Sequence, residues 1–180
     1  MNLKAHFIPK VRSKITGRSA MDILTGAADG LGLDRPWSTA TTYFATLPTE
    51  FQVEPVIAAV DCVAGAENRF KVYVRTQAVH LAALSDMLTL GGRLEGPAID
   101  VTLAKLRDLW RALFGPISPA ESNLGPTGFL FCYEMPLGSV LPIPEIYIPT
   151  TRFLKGDGHI ARVLSRFVGS DYYKVIEELL

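Results

Sequence analysis

Three stretches of the chain alternate between apolar and polar side chains, which is typical of β-strands with one buried face. They cover residues 3–8, 69–75 and 145–149. Two further runs, residues 55–63 and 127–134, are rich in β-branched or aromatic side chains and precede the second and third stretches. Short turn sequences join each of these pairs, so the pattern predicts five strands, four of them in two antiparallel hairpins. Pro9 is expected to stop the first strand.

Helical periodicity fills the chain between these strands. Apolar positions recur at helical spacing, with Ser, Asp or Gly at the expected ends. The predicted helices cover residues 19–31, 36–47, 79–90, 99–114, 157–167 and 170–180. The fold class is therefore α/β in the broad sense (α+β), with an antiparallel sheet whose apolar face is covered by helices.

The amino-acid composition limits the possible classes of protein. The 180 residues carry 18 Lys and Arg against 18 Asp and Glu, a balance that argues against a dedicated nucleic-acid binder. With 48% hydrophobic residues the chain can bury a core, and one domain over residues 1–180 is expected. No apolar stretch approaches the length of a membrane span, and no membrane partner is expected. Cys62 and Cys132 stand far apart, which predicts reduced, buried thiols and a cytoplasmic location.

The polar positions of the three alternating strands carry large side chains. These are Lys4 and His6, then Arg69, Lys71 and Tyr73, then Glu145 and Tyr147. One interpretation is an ordinary solvated sheet face. The other is the polar interior of a barrel, where cations from several strands bind phosphate oxygens and tyrosine rings stabilise a neighbouring cation. The residue pattern leaves both interpretations open.

Other chemistry is weakly indicated. Glu134 is a candidate catalytic carboxylate, although a carboxylate at a strand end is commonly structural. The three histidines lack metal-binding spacing, and no metal site is expected. Nucleophile-elbow and phosphate-loop motifs are absent from the sequence. There is also no acidic cluster that would bind a diphosphate through magnesium, so side-chain cations would have to neutralise such a ligand.

Several motifs together resemble the fungal aromatic prenyltransferases of the dimethylallyltryptophan synthase type. The resemblance covers the central portion of the family sequence and nearly the whole of this chain. It is carried by the segments KAHFIP (4–9), RFKVYVRT (69–76), LTLGGRL (88–94), LW (109–110), GFLFCYE (128–134) and EIYIP (145–149).

The resemblance implies an antiparallel α-β-β-α prenyltransferase barrel, represented here by a partial barrel of about five strands with outer helices. It implies transfer of a dimethylallyl group from its diphosphate to an indole or other aromatic acceptor in alkaloid metabolism, without a metal or other cofactor. The family's diphosphate-binding positions correspond to Lys4, Arg69, Lys71, Tyr73 and Tyr147. His6 and Glu145 occupy further positions of this site, where Tyr and Gln are common in the family.

Two hypotheses follow. In the first, the chain contributes the middle of a prenyl diphosphate site to an active enzyme. In the second, it is an inactive remnant, or a partial barrel that needs another chain, because the family's upstream general base and the downstream strands have no counterpart here. The catalytic residues are therefore unassigned. An open five-stranded sheet has two unpaired edges, which predicts self-association.

Overall fold

The computed structural model describes residues 3–63, 68–115, 128–149 and 156–168. Within these ranges the chain forms five strands, six α-helices and a short 3₁₀ helix at Thr49–Phe51. The strands are β1 (Lys4–Phe7), β2 (Glu54–Asp61), β3 (Arg69–Thr76), β4 (Phe129–Pro136) and β5 (Ile143–Tyr147). The helices are α1 (Pro9–Thr16), α2 (Ala20–Gly30), α3 (Asp34–Phe44), α4 (Leu81–Thr89), α5 (Pro97–Phe114) and α6 (Asp157–Val168). The helix predicted over residues 170–180 lies outside the described residues.

The five strands form one sheet in the order β1-β2-β3-β4-β5, and each neighbouring pair is antiparallel. The two predicted hairpins are therefore confirmed. Strand alternation and cross-strand pairing together decide which side chains share a face, because paired residues point to the same side. In the described part of the chain, β1 and β5 are the edges of this sheet.

The first strand ends at Phe7, just before Pro9, as predicted. The sequence did not predict helix α1, in which Pro9 occupies the first turn, where the missing N–H is not needed and the fixed φ suits a helix. Gly17 ends the helix in the left-handed conformation with φ of 71°. Three α-helices, rather than the two predicted, therefore lie between β1 and β2.

The helices cover one face of the sheet and bury its aromatic side chains. Tyr133 of β4 is fully buried, its ring lies 5.3 Å from that of Phe44 in α3, and its hydroxyl donates to the Met87 carbonyl of α4 at 3.0 Å. Trp37 and Trp110 lie in the same core, as their helical spacing predicts. The sheet and helix layers are thus connected by large apolar contacts and by a buried hydrogen bond.

The cysteines differ in their surroundings. Both are free thiols, as predicted, but Cys132 is buried and Cys62 is exposed. The prediction of a buried thiol was therefore wrong for Cys62, which follows the last residue of β2 and lies beyond the sheet. Among the described helices, none is both long and apolar enough to cross a membrane.

Candidate functional site

The sheet face opposite the helices carries all seven residues that the sequence singled out. Lys4 pairs with Asp61, and Lys71 pairs with Glu134 on the neighbouring strand. Tyr73 pairs with Cys132, which in turn pairs with Glu145. Because side chains alternate along each strand, the remaining members point to the same side. They are His6 on β1, Arg69 on β3 and Tyr147 on β5.

Ion pairs connect the cations at the β1–β4 end of this face. Arg69 bridges two carboxylates, with its Nε 2.6 Å from Asp61 Oδ2 and its Nη1 3.1 Å from Glu134 Oε1. Lys71 forms an ion pair with the second oxygen of Glu134. Lys4 approaches Asp61 at 3.6 Å. Five side chains from four strands thus form one network, in which Asp61 and Glu134 hold Arg69 and Lys71 in place.

Asp61 was not among the predicted site residues. It ends a strand whose preceding residues are mostly apolar. This strand therefore lacks the alternation of polar and apolar residues that identified the other site residues. The signal that could have found it is the pairing of β1 with β2, which places Asp61 directly opposite Lys4. Pairing register is a tertiary property, and the sequence specifies it only through the hydrophobic pattern and the turns.

The pKa values of these groups reflect the ion pairs. The hydrogen bond from Arg69 lowers the pKa of Asp61 below its ordinary value. Burial alone would raise the pKa of Glu134, but Lys71 and Arg69 outweigh it and lower that pKa. Burial would likewise lower the pKa of Lys71, yet Glu134 reverses the direction. Both carboxylates are thus ionised at neutral pH, and Glu134 is better suited to positioning cations than to acting as a general base.

A second cluster lies beside Lys71, toward β5. The rings of Tyr73 and Tyr147 lie 5.9 Å apart at an interplanar angle of 53°. The Tyr147 hydroxyl donates to Glu145 Oε2 at 3.3 Å. Burial raises the pKa of Tyr73 and raises that of Cys132 to about 12, so both groups are neutral near pH 7. Two aromatic rings next to a cation-rich surface can stabilise a developing carbocation through their π-systems.

The exposed members of the face lie on the two edge strands. Lys4 and His6 on β1 and Tyr147 on β5 are all exposed. Ala59, which is buried, lies between His6 and Lys71 in the cross-strand row. Within the described ranges, no three His, Cys, Asp or Glu side chains are grouped closely enough to hold a metal ion. The chemistry of this face is that of paired cations and tyrosines.

Comparison with known proteins gives these residues a context. Residues 1–171 match the family described as tryptophan dimethylallyltransferase. The chain belongs to this family. It is 29% identical over 99% of its length to 4-O-dimethylallyl-L-tyrosine synthase of Claviceps purpurea (strain 20.1), covering 45% of that protein. It is 33% identical over 93% of its length to the prenyltransferase iacE of Pestalotiopsis fici, covering 42% of that protein.

Solved structures place this dimethylallyltransferase-family chain in the same fold. AnaPT from Neosartorya fischeri matches 96% of the chain with a TM-score of 0.74 and 27% identity, and the match covers 43% of AnaPT. NotF in complex with brevianamide F and DMSPP matches 92% of the chain with a TM-score of 0.73 and 25% identity. The five-stranded open sheet is therefore part of an α-β-β-α prenyltransferase barrel, as expected. The chain spans less than half the length of these relatives.

Proposed function

We propose that the polar sheet face binds the diphosphate group of dimethylallyl diphosphate, as part of an aromatic prenyltransferase acting on an indole or other aromatic acceptor. The observation that carries this proposal is the convergence of Arg69 and Lys71 with Tyr73 and Tyr147 on one face. Guanidinium and ammonium groups bind phosphate oxygens by charge-assisted hydrogen bonds. In this proposal the dimethylallyl group attached to that diphosphate contacts the tyrosine pair.

Different residues of this face have different roles in the proposed transfer of the dimethylallyl group. As the carbon–oxygen bond to the diphosphate breaks, the leaving group gains negative charge and the allyl group becomes a cation. Lys71 and Arg69 stabilise the leaving group, with Lys4 contributing from β1. Tyr73 and Tyr147 shield the cation from water until the aromatic acceptor attacks. Binding through these cations requires no metal or other cofactor, which we include in the proposal.

Relatives support the reaction class. The Claviceps purpurea protein is named for transfer of a dimethylallyl group to L-tyrosine, and NotF was solved with brevianamide F and DMSPP. Another relative, 29% identical over 98% of the chain, is the 7-dimethylallyltryptophan synthase of Aspergillus fumigatus. The acceptors in these names are aromatic amino acids or contain an indole, and we propose an acceptor of this kind here.

Thermal unfolding of the purified chain in EDTA, with and without dimethylallyl diphosphate, tests the proposal. A ligand that binds only the native state raises the unfolding temperature. An upward shift in EDTA supports a diphosphate site that works without a metal. If the chain unfolds cooperatively but dimethylallyl diphosphate does not change its unfolding temperature, the proposed site is wrong.

Replacing Lys71 by Ala is expected to weaken binding of inorganic pyrophosphate about tenfold, because a charge-assisted hydrogen bond contributes about 1–3 kcal/mol. Isothermal titration calorimetry measures the change. Lys105→Ala, which removes an exposed cation on helix α5, is the matched control and should bind like the unmodified chain. Equal affinity of the two variants would remove Lys71 from the site.

A second candidate function is a partial barrel that needs another chain, or an inactive remnant. An apolar groove of about 750 Å³ between α1, α2 and the β1 edge favours it. Phe7 is 55% exposed and Ile15 is 72% exposed at this groove. Exposed apolar surface of this kind commonly marks an interface. We propose a second copy of the chain as the partner, since β1 is an edge strand of the sheet formed by the described residues and lies beside the groove.

Self-association of the purified 180-residue chain is therefore expected to increase with concentration, and exchanging Val11 and Ile15 together for Ser should suppress it. Sedimentation velocity over a concentration series measures the effect. Val101→Ser is the control, because Val101 is as exposed as Val11, at 54%, but lies on helix α5. If the unmodified chain stays monomeric at every concentration, the proposed association through this groove is wrong.

We also propose a domain organisation and a cellular location for the chain. The single domain over residues 1–180 is supported by the one sheet that the described strands form. The cytoplasmic location is supported by the free state of Cys62 and Cys132, since reduced thiols are typical of that compartment.

A further inference from the structure

We propose that Glu145 determines which charge state of the ligand this site accepts: the diphosphate binds in a protonated form, with a phosphate O–H donating to the Glu145 carboxylate. This inference rests on the proposed diphosphate function and deepens it. It concerns a carboxylate of this chain that lies on the same face as Lys71 and Tyr73.

Glu145 differs from the other carboxylates on the face in having no ion pair among the described residues. Asp61 contacts Lys4 and Arg69, and Glu134 contacts Arg69 and Lys71. Glu54 contacts Lys10 and Arg75 at the far end of the face. The contact shown for Glu145 is the hydroxyl of Tyr147 at 3.3 Å. Its negative charge is therefore not neutralised by direct contact.

The side chain also points toward the proposed ligand. Glu145 pairs across the sheet with Cys132, which pairs with Tyr73, and so it shares the face with Lys71. The hydrogen bond from Tyr147 keeps the carboxylate on that side of β5. Lys71 attracts Glu145 through space, but its ammonium group is in contact with Glu134. A diphosphate bound to Lys71 would thus bring several negative charges close to an unpaired carboxylate.

The negative charges of the carboxylate and the diphosphate repel each other and so oppose binding, and a proton between them removes this repulsion. The neighbouring groups are poorly suited to supply that proton. Burial raises the pKa of Tyr73, Tyr147 and Cys132, so these groups stay neutral as the pH varies near 7. Glu134 is held ionised because Lys71 and Arg69 lower its pKa despite its burial. Lys71 stays protonated because Glu134 raises its pKa against the effect of burial. The proton therefore comes with the ligand, whose phosphate O–H can donate to the Glu145 carboxylate.

Titration calorimetry with inorganic pyrophosphate, from pH 6 to pH 8, tests the inference on the unmodified chain and on Glu145→Gln. Gln has the same shape but no charge, so Glu145→Gln should bind about tenfold more tightly at pH 8, and the difference should shrink toward pH 6. Repeating the titrations in buffers of different ionisation enthalpy counts the protons. The unmodified chain should take up more protons than Glu145→Gln, and this comparison cancels the titration of pyrophosphate itself.

The control is Glu95→Gln, which makes the same change of charge at an exposed position before helix α5 and should bind like the unmodified chain. Equal affinity and equal proton uptake of the unmodified chain and Glu145→Gln would overturn the role of Glu145 while leaving the diphosphate site in place. Weaker binding by Glu145→Gln would overturn it as well, because the carboxylate would then favour the ligand. If neither protein binds pyrophosphate, the proposed function fails together with this inference.

Discussion

Replacing Glu134 by Ala is expected to lower the free energy of unfolding by about 3 kcal/mol, since removing one partner of a buried ion pair leaves the other charge uncompensated. The side chains of Lys71 and Glu134 are only 12% and 10% exposed. Without Glu134, the Lys71 ammonium group would lie beside Arg69 with only Asp61 and Glu145 nearby to balance the charge. Urea denaturation at neutral pH measures the loss.

The matched control for this change is Glu54→Ala. Glu54 also contacts two cations, Lys10 and Arg75, but its side chain is 52% exposed, and its loss should alter stability by about 0.5 kcal/mol or less. The double variant Lys71→Met and Glu134→Met should recover much of the lost stability, because apolar replacement of a buried ion pair removes the desolvation cost of its charges. Similar losses for Glu134→Ala and Glu54→Ala would show that burial does not set the strength of the network.

Replacing Tyr133 by Ala should cost about 4 kcal/mol, the range for an aromatic side chain removed from a packed core. Tyr133 connects the two layers of the fold, with its ring against Phe44 of α3 and its hydroxyl on the Met87 carbonyl of α4. The cavity would lie directly beneath the polar face, on the strand that also carries Cys132 and Glu134. Chemical denaturation monitored by circular dichroism measures this effect.

Tyr133→Phe separates packing from hydrogen bonding at the same position. It keeps the ring and removes the hydroxyl, so it should cost about 1 kcal/mol, the net value of one hydrogen bond. Both variants should lose stability without any change in the charges of the polar face. If Tyr133→Phe were as destabilised as Tyr133→Ala, the hydrogen bond to Met87, and not the packing, would hold the helix layer to the sheet.

Strand alternation predicted which of these side chains share a face of the sheet, for a simple geometric reason. Side chains two residues apart lie on one face of a strand, so Arg69, Lys71 and Tyr73 had to point the same way. The hairpin signals then brought neighbouring strands together. Local rules predict the end of the first strand before Pro9 but miss helix α1, because Pro can both stop a strand and begin a helix. Whether a helix follows depends on whether the next residues can pack, and α1 packs against α2 and β2.

The sequence by itself determined the family, the five strands and the side of the sheet on which each predicted site residue lies, because these depend on local periodicity and on short motifs. Only the tertiary structure decided how the charges combine. It placed Asp61 against Arg69 and Lys4, paired Arg69 and Lys71 with Glu134, and left Glu145 with a tyrosine hydroxyl as its contact. Ion pairing depends on distances of a few ångströms between strands that are far apart in the chain, and those distances follow from the cross-strand register, which periodicity does not specify.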